Sequence, residues 1–263
     1  MLLAQRSLVK PLTQPKIPVG RCGARRARTR AETRYTRSLP MTDRSPEAGP
    51  FTLFGERKLD SPFVFTAFVA LKEKGVPFGF RLLDLAAGEQ RSAEFGPRSL
   101  TRRVPTLSAG DFVLSESVAI AEYLDDTLTP PTYARLLPAA VEQRARARQV
   151  LGWLRTDLAA LRRARPSDSI FFEHVTTPLD AGARKDADKL VQIAGELVGT
   201  RASLFETWSI ADADLAFMLM RLHANGDALP AALTSYAETQ WKRPSIAAWV
   251  GLARPAPNPV LAP

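Results

Sequence analysis

Cysteine is almost missing from this chain. The one copy, Cys22, falls within the first 50 residues, so residues 51–263 carry no thiol at all. Disulfide staples, Cys-based zinc sites and a cysteine nucleophile are thereby excluded from the body of the protein. A chain without disulfides fits a reducing compartment, and a cytoplasmic location is expected. Histidine is nearly as scarce. His174 and His223 have no nearby Cys or paired His for a metal site, and no Gly-x-Ser-x-Gly accompanies them for a hydrolase triad. A P-loop and a dinucleotide-binding glycine fingerprint are both absent, so nucleotide use is not indicated. No apolar run approaches the roughly 18 residues needed to cross a bilayer, which argues against a membrane protein.

Acidic residues are scarce in one region only. The whole chain carries 36 Lys+Arg against 27 Asp+Glu, a net charge of +9. Residues 1–50 hold 11 of those bases and 3 of those acids, while residues 51–263 hold 25 and 24. The body is therefore close to neutral and lacks the basic footprint of a DNA or RNA binder. The leader 1–50 is Arg-rich, punctuated by proline and without apolar periodicity, and is expected to be disordered. Three readings fit it: a transit segment, a basic arm, or a stretch preceding a start at Met41. Met41-Thr42-Asp43 stands ten residues before the first expected strand, which favours Met41 as initiator. The 45% apolar and 24% charged content are those of an ordinary globular protein, and 263 residues suit two small domains.

The first half reads β-α-β, a variable segment over 86–100, then β-β-α. Phe51 to Phe54 is a short apolar strand. Ser61-Pro62 opens a helix carrying Phe63, Val64, Ala67, Phe68, Ala70 and Leu71 and closing at Lys74-Gly75. Ser as N-cap, Pro at the first helical position and Gly past the end are the usual punctuation. Residues 78–85 alternate as a second strand, parallel to the first through a right-handed crossover. A hairpin turns at Ala109-Gly110-Asp111 between 106–108 and 112–114, and a helix runs from Glu116 to about Asp126. This is a thioredoxin-like arrangement, spanning 51–130. Thr127-Leu128-Thr129-Pro130-Pro131 breaks the chain, and residues 131–254 read as all helical. One long helix is expected over 138–165 with Val141, Ala145, Val150, Leu154 and Leu158 on its apolar side. Others are expected near 181–197, after Ser209, and over 231–239 and 245–252. A Pro-rich tail, 255–263, follows.

One constellation points to a ligand. In Arg102-Arg103-Val104-Pro105-Thr106-Leu107 the proline pushes Val104 toward extended geometry, leaving its N–H and C=O available for pairing. Glu116-Ser117 offers a carboxylate for an ammonium group, together with a hydroxyl and helix-start N–H groups for a carboxylate. A ligand with an α-amino acid at one end and a peptide backbone in its middle fits that layout. Glutathione is such a ligand.

Ser61-Pro62-Phe63, Val104-Pro105-x-Leu107, Glu116-Ser117-x-Ala119-Ile120 and Ser209-Ile210-Ala211-Asp212, in this order, resemble the cytosolic glutathione transferases over residues 51–253. The runs Ala119–Leu124, Arg144–Gln149 and Trp153-Leu154-Arg155 are closest to the bacterial YfcF-type members. The resemblance implies a thioredoxin-like domain followed by an α-helical bundle. It implies Pro105 as a cis-proline and Val104 pairing its backbone with the cysteinyl unit of glutathione. Glu116 and Ser117 would hold the γ-glutamyl end, Arg103 would meet the glycyl carboxylate, and Ser61 would activate the sulfur. Glutathione is then a co-substrate, with no resident cofactor or metal, and the second substrate is a small electrophile or a peroxide. A homodimer is implied as well. The alternative is a non-catalytic scaffold of the same architecture.

Arg57-Lys58-Leu59-Asp60 departs from the family pattern, and Asp60 would oppose a thiolate beside it unless it turns away. No Cys or Tyr occupies 57–63, which argues against a mixed-disulfide mechanism. Ser209 and Asp212 read as a structural capping box with a short acid. The arginines over 144–165 read mostly as a solvated helix face, a minority of them available to an anionic co-substrate or a dimer contact. Trp153 and Phe171-Phe172 are core or the wall of an electrophile pocket.

Overall fold

The computed structural model describes residues 49–255; the leader 1–48, with Cys22 and Met41, and the tail 256–263 lie outside the described residues. A four-stranded mixed sheet is built from β1 (Phe51–Glu56), β2 (Phe78–Leu83), β3 (Thr106–Ala109) and β4 (Phe112–Ser115), in the order β2-β1-β3-β4. β1 runs parallel to β2, with Phe51 opposite Phe78, and antiparallel to β3, with Phe54 opposite Thr106. Gly110, at φ 65°, turns the β3–β4 hairpin. Between β1 and β2 lies α1 (Pro62–Lys74), and α2 (Ser117–Thr127) follows β4. The rest is helical: α3 (Val141–Thr156), α4 (Ala159–Ala164), α5 (Ala181–Val198), α6 (Ile210–His223), α7 (Ala231–Trp241) and α8 (Pro244–Val250).

α1 holds the two halves together. Every residue from Val64 to Leu71 is buried, as expected of a helix enclosed on all sides rather than lying on a surface. One face meets the sheet, where a Cβ on Gly55 would come within 2.8 Å of Val64 and 2.9 Å of Phe80. On the other, Phe65 packs against Phe217 of α6, Trp241 of α7 and Trp249 of α8. Each fully buried aromatic or branched side chain contributes about 1.5–3 kcal/mol. Glu73 of α1 also accepts two hydrogen bonds from Arg243, at 2.6 and 2.7 Å, just ahead of α8. The helix ends where Gly75, at φ 63°, donates its N–H to the Lys72 carbonyl.

The single helix expected over 138–165 is two. Asp157 accepts from its neighbour's N–H at Leu158 (2.8 Å) and from the Trp153 indole (3.1 Å), so its side chain competes with the helical ladder. Leu158 then takes φ 61° and is fully buried. The buried stripe of α3 is Ala147, Val150, Leu151 and Leu154, whereas Val141 is 82% exposed. Among the described residues no helix is long and apolar enough to cross a membrane.

Candidate functional site

Ser61 stands at the N-cap of α1, and its Oγ accepts from the Val64 N–H at 3.3 Å. A hydroxyl has one donor and two acceptor positions. Capping uses an acceptor position, so the Ser61 proton is free to point toward a ligand at the positive end of α1. Beneath it lies Glu56, whose Oε1 accepts from the N–H groups of Asp60 (2.8 Å) and Ser61 (2.9 Å). This carboxylate fixes the loop that presents the serine. Asp60 does not turn away from the site. It lines the same cleft, with its charge met by Lys58 at 3.3 Å.

Across the cleft, the Val104–Pro105 peptide bond is cis. Neither the N–H nor the C=O of Val104 has a hydrogen-bond partner among the described residues. Ser99 braces the approach: its hydroxyl donates to the Arg103 carbonyl at 3.0 Å and accepts the Arg103 N–H at 3.1 Å.

Glu116 precedes α2 at φ 75°, ψ 118°, a backbone conformation costing a non-glycine residue about 1–3 kcal/mol. Its side chain is exposed and makes no capping hydrogen bond, so a plain capping role does not account for it. Ser117 is buried, and its Oγ accepts from Arg155 Nη2 at 3.1 Å. Arg155 also meets Asp214 at 2.5 Å and Thr66 at 3.2 Å, and Thr66 in turn donates to Asp214 at 2.7 Å. α1, α2, α3 and α6 thus share one polar knot.

The structure brings Ser61, Arg103 and Val104 onto the wall of one open cleft of about 580 Å³. Glu116 and Ser117 do not line it; Ser117 is tied to α1 through Arg155 and Thr66, whose hydroxyl also lies 2.9 Å from the Pro62 carbonyl. Four residues of this neighbourhood escape sequence reasoning: Glu56, Arg91, Arg102 and Arg155. Arg91 and Arg102 line the cleft beside Arg103, giving it three cations where one was anticipated. Arg155 lies inside the knot rather than on a solvated face. Arg165 is likewise buried, in a two-pronged pair with Asp227 at 2.6 and 2.9 Å. Arg146, Arg148 and Arg163 are exposed. Within α3 only helix phase separates Arg155 from Arg146 and Arg148, and beyond it the break at Leu158 resets the phase of Arg163 and Arg165.

Residues 60–127 match the glutathione S-transferase N-terminal domain family, and residues 140–254 match the glutathione S-transferase C-terminal domain family. A solved glutathione transferase homologue from a Burkholderia strain, BGR1, with bound glutathione, is 42% identical; the match covers 76% of this chain and 96% of that one, with a TM-score of 0.63. The chain belongs to the glutathione S-transferase family. A Sphingobium β-etherase shares the fold at 20% identity and a TM-score of 0.62, over 76% of this chain and 98% of that one. Glutathione S-transferase theta-3 of Mus musculus is 37% identical over 91 residues, 35% of this chain and 37% of the mouse protein. Theta-2 of Homo sapiens is 36% identical over 86 residues, 33% and 34% of the two chains. The chain thus aligns with only about a third of the length of these curated relatives.

Two buried acids of this glutathione S-transferase family member differ in what they do. Asp212 accepts from the Ser209 N–H (2.8 Å), the Leu204 N–H (2.7 Å) and the Tyr236 hydroxyl (2.8 Å), and so fastens the start of α6 to α7. Burial pushes its carboxyl up, and these hydrogen bonds pull it down. Glu56 is 5% exposed and its Oε2 is buried without a partner. Burial pushes that carboxyl up from 4.5 to about 7, against the pull of the Ser61 and Asp60 N–H groups. Below pH 4.5 both folded and unfolded chains keep this proton. Between 4.5 and about 7 only the folded chain keeps it, so stability falls as pH rises through that window, by at most about 3 kcal/mol. Glu56→Gln retains an acceptor for both N–H groups and does not titrate. Its unfolding free energy in urea, relative to the natural protein, should rise by about 2–3 kcal/mol across that window. Parallel pH profiles for the two proteins would assign the titration to another group.

Proposed function

We propose that this protein binds glutathione in the cleft beneath Ser61 and transfers its thiolate to small electrophiles. The observation that carries the reading is Val104: it lines the cleft with its N–H and C=O unpaired among the described residues, and the same cleft is lined by Ser61, a capped serine whose proton is free. An extended tripeptide would pair there as an added strand, with its sulfur toward Ser61. Arg103, with Arg91 and Arg102, would meet the glycyl carboxylate. Glu116 would hold the γ-glutamyl ammonium, and Ser117, with the Arg155 charge at its hydroxyl, the neighbouring carboxylate. The glutathione bound by the Burkholderia homologue supports this reading.

A free thiol near pKa 8.5 is mostly protonated at neutral pH, and the thiolate is the nucleophile. A hydrogen bond from Ser61 and the N-terminus of α1 favour the anion; Asp60 and an ionised Glu56 oppose it. Ser61→Ala should raise the pKa of bound glutathione by about one unit, seen in thiolate absorbance against pH, and should cost about 1 kcal/mol of stability through the lost cap. Turnover and thiolate titration unaltered in that variant would pass the role to backbone donors of α1.

The same thiolate can attack a peroxide oxygen, a second glutathione then completing the reduction, so peroxide reduction belongs to this reading. So do a cytoplasmic, detoxifying role, a YfcF-type affinity and a homodimer. The assignment of 51–130 to glutathione binding and 131–254 to the helical half belongs to it too. Retention on immobilised glutathione, with elution by the free tripeptide, tests the central claim. Flow-through of protein shown to be folded by circular dichroism would favour a scaffold instead.

A further inference from the structure

Arg221 of α6 is 3% exposed, yet no carboxylate lies within ion-pair distance of it among the described residues. Its Nη1 donates to the Arg165 carbonyl at 2.7 Å, its guanidinium stands 5.6 Å from the Phe217 ring, and its Nε is buried with no partner. Burial, and then the charge of Arg162, push its pKa down to about 10. The acids in the neighbourhood are already claimed. Asp214 is held by Arg155 and Thr66, while Asp60 and Asp168 both pair with Lys58, at 3.3 and 2.7 Å. A buried cation left in this state costs several kcal/mol unless an anion joins it.

Arg221, Arg162 and Arg155 line a cavity of about 30 Å³ whose apolar walls come from Phe63, Leu154, Phe217 and Met218; Asp214 lines it too, its charge met by Arg155, which leaves two cations to one paired acid. That space holds roughly two water-sized groups, the size of a carboxylate and too small for a ring. Pro62 and Phe63 line both this cavity and the larger cleft. Phe63 is 42% exposed, an apolar platform next to the serine. We propose that the cavity takes the carboxylate of an anionic, apolar-bodied electrophile, held by Arg221 and Arg162, with its body on Phe63 and its reactive atom toward the sulfur site. The inference rests on the glutathione reading above and names the class of its second substrate.

Calorimetry on the full chain, with and without saturating glutathione, compares benzoate with benzamide, a neutral probe of the same shape. Benzoate should bind at least about tenfold more tightly, a preference of the size expected for a charge-assisted pair. In Arg221→Gln the preference should fall to within about twofold, and in Arg162→Gln by about threefold. The second variant changes a half-buried residue and keeps the test open should the first fail to fold. Equal binding of the two probes to the natural protein overturns the proposal, as does a preference untouched in either folded variant. Formate binding as tightly as benzoate overturns it too, because the apolar walls would then contribute nothing. Glutathione binding is read in the same titrations. Its absence would sink the parent reading while leaving the benzoate comparison standing.

Discussion

Replacing Lys74 by methionine is expected to lower the unfolding free energy by about 3–5 kcal/mol. The ammonium group of Lys74, at the end of α1, is wholly buried. It donates to Asp125 Oδ1 at 2.9 Å, to the Leu128 carbonyl at 2.8 Å and to the Ala134 carbonyl at 2.6 Å. Asp125 is buried as well and accepts the Leu136 N–H at 2.7 Å. Methionine matches the lysine stem in volume, so packing changes little. What changes is that a buried carboxylate and two carbonyls lose their donor, with Arg144, at 3.8 Å, left as the nearest cation. Removing one partner of such a pair is far more damaging than removing both. Lys74→Met with Asp125→Leu should therefore recover much of the loss. Urea unfolding followed by tryptophan fluorescence measures both. A single-variant loss under about 1 kcal/mol would show that water reaches the pair.

Glu116→Ala is expected to weaken glutathione binding by roughly 2–4 kcal/mol, about 30- to 1000-fold in Kd, because the ligand ammonium would lose its counter-charge. The variant is a clean one. The Glu116 side chain is exposed and has no hydrogen-bond or ion-pair partner among the described residues, while its carbonyl accepts the Ile120 N–H at 2.9 Å in either variant, so the fold loses no contact and the strained backbone is kept. Its melting temperature should stay within a degree or two of the natural protein's. Calorimetry gives the Kd, and Glu116→Gln, which keeps the shape without the charge, should fall between the two. An unchanged Kd in the alanine variant would take Glu116 out of the site.

These two residues also show what the chain spells out locally and what it withholds. Glu116-Ser117 stands out in the sequence because two chemically informative residues adjoin, after a hairpin and before an apolar helix, and its ligand role is the proposal made above. Lys74 was legible only as the last residue before a C-terminal glycine, where a lysine is commonplace. Its burial depends on Asp125 and on a loop some 60 residues away, the Ala134 carbonyl among its acceptors. The parallel first pair, the hairpin and the α1 caps followed from turn residues and alternation. The break at Leu158 did not, since no Gly or Pro marks it and a leucine at φ 61° holds only because the core claims its side chain. Glu56 was hidden for a similar reason: at the end of β1 it reads as a surface acid, and only the fold of residues 57–61 closes over it. The arginines were the hardest to sort, since residues three or four apart share a helix face and one misplaced helix end rotates the assignment of all those beyond it.

The enclosure of α1 sets a limit on dissecting this protein. A fragment ending after α2 would keep the sheet but bare the Phe65 side that rests on Trp241 and Trp249. It would also leave Glu73 without Arg243, Thr66 without Asp214, and the Lys74 ammonium short of the Ala134 carbonyl. Such a fragment is a poor candidate for autonomous expression, since it would surface as an aggregation-prone half. Insertions, tags and circular permutation should be directed to Ala86-Ala87 instead, exposed in the turn after β2 and no part of that seam.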